Sequence, residues 1–438
     1  MKNQNTFRIL AQDKQMNNDT WVTGLNNNDL IIGPSGAGKT RGYVKPNIMQ
    51  CNESMVIADT KGSLIGEMGP LLRQNGYRVL HLNFKDMGSS SGYNPLDYVR
   101  YDKRRKKYHE QDIMTIAAAL SPQTSAKDPF WDNAARMYLT TLIAYVLECL
   151  PRNEHSLKYV VELMNEMGSR NFRKLIQELK TVDPESFAVQ TFHLFEHTAK
   201  SERTEASILG ILGEKMNGLC FDGAVKMYSR KERVDFKSLG RRKTAVFLTI
   251  SDTDRSMDRL VSLFYTQALH ELCNSADLDY ADHRLPVPVR FILDDFATNA
   301  YIPDFQNIIS VIRSREIYVS VILQSITQLT ALYGRQNAET IINNCDNCLY
   351  LGGQDVETAR FMSIKANKTM DTILNMSLTD AYLFTRGQMP RKIQPFDLRR
   401  HERYALLPEA AGAMRPAPSP ALAAPDAVRE QEVMECET

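Results

Sequence analysis

Gly33-Pro-Ser-Gly-Ala-Gly-Lys39-Thr40 reads G-x-x-x-x-G-K-[ST] with every fixed position filled. The short apolar run Asp29-Leu-Ile-Ile32 precedes it, as a buried strand would. Arg41 to Asn47 follows with helical character, and Pro46 makes that helix short or bent. Strand, glycine-rich loop and helix N-terminus together aim backbone N–H groups at a phosphate chain. Gly33, Pro34, Ser35, Gly36, Ala37, Gly38, Lys39 and Thr40 are therefore read as a cradle for a nucleoside triphosphate. In that cradle Lys39 reaches the β- and γ-phosphates, and the Thr40 hydroxyl ligates Mg²⁺.

Hydrolysis needs more than a cradle: an acid to hold the metal and a group to direct water. Val289-Arg-Phe-Ile-Leu-Asp294-Asp295 is an apolar strand closing on two carboxylates. Asp294 is expected in the metal shell and Asp295 on the attacking water. Gln324 closes another strand, Tyr318 to Leu323, where it is placed to sense the γ-phosphate and hold the lytic water. Arg313 and Arg315 precede that strand. Either is a candidate to cross a subunit boundary and neutralise charge on the γ-phosphate.

Strand-like runs at Met55–Ala58, Tyr77–Leu82, Thr244–Ile250, Val289–Leu293, Tyr318–Leu323 and Cys348–Leu351 alternate with polar or helical sequence. That alternation predicts an α/β fold with a mainly parallel central sheet. Between about Lys103 and Lys237 the strand texture vanishes. Helical periodicity replaces it, as in Trp131 to Leu150 and Leu157 to Met167. Four segments follow: 1–102 and 241–406 as two parts of one nucleotide-binding domain, 103–240 as an inserted all-helical domain, and 407–438 as an Ala/Pro-rich disordered tail. The insertion explains the long separation of Lys39 from Asp294.

The chain has 438 residues, 43% hydrophobic and 24% charged, as a globular protein does. Lys+Arg 53 against Asp+Glu 52 leaves no global basic excess, so any nucleic-acid contact must be local. No apolar run reaches the length of a membrane span, and the polar first residues do not form a signal peptide. Seven cysteines without framework spacing fit a reducing compartment. Cys345-x-x-Cys348 lacks a second pair and reads as a buried strand edge; His193 and His197 read as a helix-surface pair.

Together these blocks resemble the coupling protein ATPases of type IV secretion and conjugative DNA transfer, over about Asn26 to Asp397. Besides the loop with Val44-Lys-Pro-Asn47, the resemblance rests on Asp59-Thr-Lys-Gly62, Asn75-Gly-Tyr77, Tyr93-Asn-Pro-Leu96, Asp128-Pro-Phe-Trp131 and Leu293-Asp-Asp-Phe-Ala297. It continues through Gln324-Ser325, Gln328-Leu329, Tyr333-Gly334 and Leu351-Gly-Gly-Gln-Asp355. The resemblance implies a RecA-like motor using ATP and Mg²⁺, a homo-hexameric ring, and non-sequence-specific DNA movement. It also implies contact with a relaxase and with type IV secretion channel components, and work in the bacterial cytoplasm at the inner face of the membrane. It favours Arg313 over Arg315 as the arginine acting in trans. Two features depart from the family: Asp295 stands where a glutamate is usual, and only 32 residues precede Gly33, where members usually carry a membrane anchor. A weakly hydrolysing recruitment platform and a related hexameric DNA translocase are the competing readings. Lys103-Arg-Arg-Lys-Lys107, beside Tyr101 and Tyr108, is the strongest basic run, a contact for DNA phosphates or acidic partners, or a solvated linker.

Overall fold

The computed structural model describes residues 6–123, 128–166, 169–251, 253–296 and 301–413. Two hairpin strands come first, β1 (Phe7–Ala11) and β2 (Lys14–Asn17). The strands β3 (Asp29–Ile32), β4 (Ser54–Ala58) and β5 (Arg78–Asn83) follow. A small antiparallel hairpin, β6 (Tyr101–Asp102) with β7 (Lys107–Tyr108), opens the helical segment. After that segment come β8 (Thr244–Thr249), β9 (Val289–Leu293), β10 (Ile317–Leu323), β11 (Asn347–Tyr350), β12 (Ala381–Thr385) and β13 (Arg391–Ile393).

Nine strands form one sheet in the order β13-β12-β11-β3-β10-β9-β4-β8-β5. From β11 to β5 all neighbours are parallel, and β12 and β13 add an antiparallel margin. The expected α/β sheet is therefore present, with every expected strand in it. Apolar side chains alternate between its two faces because both are covered. Leu30, Val56, Val246, Phe291 and Val321 join the core shared with the helical segment. Ile31, Ile57, Phe247, Ile292 and Ile322 share a second core with Tyr43, Ile48, Leu64 and Met68 of the helices after β3 and β4 and with Leu10 and Met16 of the β1–β2 hairpin. In a parallel sheet all carboxyl ends share one edge. The loops after β3, β10, β9 and β4 therefore emerge side by side there.

Helices fill the segment between β7 and β8, around the long Phe130–Cys149 helix, which buries Ala134, Tyr138, Leu142 and Val146. The chain leaves for these helices and returns from them at one place. Tyr98 Oη donates to Val234 O at 2.6 Å, Arg233 pairs with Asp97 at 2.8 Å, and Gly92 bridges to Arg233. A Cβ at Gly92 would lie 2.5 Å from Arg233 Cγ, so this close crossing needs glycine. Among the described residues no helix is long and apolar enough to cross a membrane.

Three expectations change. Leu407 is buried and Pro408–Ala413 is helical, so the tail does not begin at 407; Leu398 and Leu407 complete the core beneath Tyr43 and Ile48, which the Ala/Pro-rich composition had concealed. Residues 414–438 lie outside the described residues. Cys348 sits inside the sheet, because β11 is paired on both sides by β3 and β12, and is not on an edge. Strands β1, β2, β6, β7, β12 and β13 were not foreseen, and β7 (Lys107–Tyr108) lies inside 103–240, so the described residues of that segment are helical apart from one short hairpin strand.

Candidate functional site

Gly33 continues β3 directly: its N–H donates to Leu323 O of β10 at 3.1 Å. A Cβ there would come within 2.9 Å of Leu351 Cβ, so the loop can leave the sheet at this angle only as glycine. Gly36 and Gly38 take φ of 81° and 82°, the left-handed region that turns the loop back on itself. The helix after the loop starts as a π-type turn, Thr40–Val44, and becomes α only at Lys45–Met49. Pro46 causes this. It has no N–H to give to the Gly42 carbonyl, and the Lys45 N–H bonds instead to Thr40 O.

The loops converge on a cleft of about 400 Å³ lined by Pro34–Arg41, Asp59–Lys61, Asp294, Asp295 and Gln324. Lys39 Nζ donates to the carbonyl oxygens of Gly33 at 2.8 Å and Pro34 at 3.1 Å, and lies 4.0 Å from Asp295 Oδ1. Thr40 Oγ1 donates to Asp294 Oδ2 at 3.1 Å. Gln324 Nε2 donates to Asp295 Oδ1 at 3.3 Å. Residues separated by more than 250 positions in sequence thus meet in one chain of contacts, Thr40–Asp294–Asp295–Gln324, with Lys39 beside it.

Burial first, and the adjacent Asp295 charge second, push Asp294 up to about 6. Asp295 adopts φ 49°, an uncommon backbone for a residue with a side chain, and its side chain stays partly open to the cleft. A hydroxyl and a desolvated carboxylate at hydrogen-bond distance form an oxygen donor pair suited to a hard divalent cation. Such a cation would also favour the ionised form of Asp294. The residues therefore fit Mg²⁺.

Arg313 is not in this cleft. It precedes β10, whose seven residues separate it by about 23 Å from the carboxyl edge. There Arg313 Nη2 reaches Thr20 O at 3.4 Å. Arg315 is held in a two-bond pair with Asp277, each bond 2.8 Å. Within one chain, then, neither arginine meets the loop. Ser325 and Asp355 cap the helices Ile326–Tyr333 and Val356–Ala366. His193 and His197 are exposed neighbours, and no metal-holding cluster of His, Cys, Asp and Glu occurs among the described residues.

The loop after β4 was not foreseen as part of the site. Asp59 is buried beneath it and accepts from the N–H of Ile65 at 3.2 Å, while Lys61 lines the cleft. Burial raises the Asp59 carboxyl against its backbone hydrogen bonds. Below it, buried Lys45 pairs with Glu67, tying the helix after the glycine loop to the helix after Asp59. The available signal was that β4, like β9, is an apolar strand ending in aspartate. Only the sheet order, which sets β4 beside β9, shows that the two aspartates share a cleft.

The family described as type IV secretory system conjugative DNA transfer matches residues 2–393. VirD4 of Agrobacterium fabrum is 23% identical over 348 residues, covering 78% of this chain and 50% of that protein. TraG of Escherichia coli, a conjugal transfer protein, is 24% identical over 389 residues, covering 83% and 59%. The chain spans about half the length of the VirD4 relatives it matches. Among solved structures, the plasmid coupling protein TrwB in complex with ADP and Mg²⁺ superposes with a TM-score of 0.66 at 15% identity, covering 91% of this chain and 90% of that one. TrwB with a non-hydrolysable ATP analogue gives 0.65 at 16% identity, with the same coverage. A fold shared at that level, and a family match over nearly the whole described chain, agree with the motif order along the sequence: this chain belongs to the type IV secretory system conjugative DNA transfer family.

Proposed function

We propose that this chain is a magnesium-dependent ATPase that couples hydrolysis to the movement of relaxase-bound DNA into a type IV secretion channel. The observation that carries the reading is the meeting of Lys39, Thr40, Asp294, Asp295 and Gln324 in one cleft at the carboxyl edge of the sheet. Support for the nucleotide comes from TrwB, solved with ADP and Mg²⁺ and with an ATP analogue.

In this reading the backbone N–H groups of Pro34–Lys39 cradle the phosphates, and Lys39 leaves its loop carbonyls for the β- and γ-phosphate oxygens. Thr40 and Asp294 would hold Mg²⁺, which when bound neutralises phosphate charge. Asp295 takes the proton of the attacking water while Gln324 holds that water. The usual glutamate is one methylene longer; the contact of Asp295 with Gln324 and its nearness to Lys39 support the role for the shorter side chain. Arg313, far from its own cleft, serves the cleft of a neighbouring copy in a ring of six. Residues 103–240 form the helical module that meets the relaxase, and the assembly works at the cytoplasmic face of the membrane.

The test is ATP turnover at increasing protein concentration, with and without DNA. Turnover per chain should rise with concentration and with DNA. Turnover independent of both would reject the motor.

A further inference from the structure

The basic run Lys103–Lys107 forms the turn of the β6–β7 hairpin, Lys103 to Lys106, and the first residue of β7, Lys107. Lys103, Arg104, Arg105 and Lys106 are exposed there. Asp102, the last residue of β6, folds over the turn and accepts from the N–H groups of Arg104 at 2.8 Å and Arg105 at 3.2 Å. Those bonds hold its carboxyl below the usual range. Arg105 stays 3.9 Å from it. Among the described residues, Lys103, Arg104 and Lys106 have no carboxylate within 4.0 Å.

Beside the turn lies a cavity of about 250 Å³, lined by Tyr101, Lys106, Lys107, Tyr108, Arg152 and His155 and also by the acids Glu148 and Asp183. Both acids are engaged with backbone. Glu148 caps the Phe187–Thr198 helix through Phe187 N at 3.1 Å and Ala188 N at 3.3 Å, and Asp183 accepts from Glu185 N at 3.1 Å. Lys107 Nζ donates to Glu185 O at 3.0 Å and lies 3.9 Å from its exposed carboxylate. The aromatic side is fixed in place. His155 Nε2 donates to Leu150 O at 2.8 Å, so its Nδ1 accepts from Tyr108 Oη at 3.1 Å. Tyr108 packs on Tyr101 with ring centroids 4.9 Å apart, and the Arg152 guanidinium stands 5.6 Å from the Tyr101 centroid.

Cations without partners beside a fixed aromatic pair suit a strand whose phosphates need neutralising and whose bases need a stacking surface. We propose that the β6–β7 hairpin and its cavity are a single-stranded DNA site, with phosphates on Lys103, Arg104 and Lys106 and a base stacked at Tyr101. This rests on the DNA-moving function proposed above and assigns it a contact point. A duplex would present phosphates alone, and the tyrosine–arginine stack is what favours a single strand.

The experiment is fluorescence anisotropy of a labelled thirty-residue oligo-dT with the full chain, titrated at several salt concentrations. The triple variant Lys103→Gln, Arg104→Gln, Lys106→Gln changes exposed side chains outside the nucleotide cleft. It should flatten the slope of log affinity against log salt by about 2, from a slope of roughly 0.7 per phosphate contact. Tyr101→Ala should weaken binding roughly 5- to 150-fold with the slope unchanged. Both should retain DNA-independent ATP turnover. Unchanged affinity and slope in the triple variant, with native DNA binding intact, would overturn the hairpin assignment and leave the motor standing. Absence of oligo-dT binding by the native chain would overturn both. A triple variant that keeps oligo-dT binding but loses binding of a poly-glutamate peptide would reassign the hairpin to an acidic protein partner.

Discussion

The two ends of the central sheet hold charges in opposite states, carried on the same three strands. β3 begins with Asp29 and runs into Gly33; β9 carries Arg290 four residues before Asp294; β10 carries Ser320 four residues before Gln324. Below the β1–β2 hairpin, Asp29 accepts from Arg8 Nε at 2.8 Å, Tyr43 Oη at 2.6 Å and Asn347 Nδ2 at 3.1 Å. Arg290 pairs with Glu53 and donates to Asn27 O at 2.8 Å. These groups are buried and answer one another. At the carboxyl edge the lysine borrows carbonyls from its own loop and one carboxylate is pushed up to about 6. One end spends its charge on holding the fold, and the other keeps charge available for a ligand.

Substitutions should separate the ends sharply. The largest stability loss belongs to the closed end: Asp29→Ala strands Arg8 and should cost about 3–5 kcal/mol in urea unfolding, because a buried charge is left without its partner. Lys39→Ala should behave in the opposite way. It should lower ATP turnover by about 10²–10³-fold and shift unfolding by about 1 kcal/mol or less. If Lys39→Ala unfolds the chain, or Asp29→Ala leaves stability untouched, the contrast between the ends is wrong.

Gly33→Ala sharpens the contrast at the point where a strand becomes a loop. Its methyl would press on Leu351, which should destabilise the chain by about 1–3 kcal/mol and weaken nucleotide binding in a calorimetric titration. The smallest effect should come from Ser325→Ala. This removes the cap that accepts from Gln328 N at 3.3 Å, for about 1 kcal/mol, and leaves nucleotide affinity near native.

The open end was readable in the sequence because its chemistry is local. A glycine loop must bring its own φ values, and an apolar strand that ends in carboxylates shows both features in one short run. The closed end was not readable. Arg8, Asp29, Glu53 and Arg290 come from four separate segments, and nothing in any one of those segments points to the other three. Arg290 in particular was read as part of an apolar strand, although it is almost fully buried. β12 and β13 escaped as well. β13 is three residues long and largely exposed, so it carries no apolar run; β12 (Ala381-Tyr-Leu-Phe-Thr385) does carry one, and it was passed over. The loop after β4 needed the sheet order before its place in the cleft could be seen.

In the proposed function Thr40 and Asp294, remote in sequence, share one metal-bound triphosphate. The direct measurement is a double-mutant cycle on fluorescent ATP-analogue binding, with Thr40→Val, Asp294→Asn and their combination titrated with and without Mg²⁺. Mg²⁺ should strengthen binding to the native chain, either substitution should abolish that gain, and the pair should lose no more than one alone. Losses that simply add, or a Mg²⁺ gain that survives Asp294→Asn, would contradict the shared site.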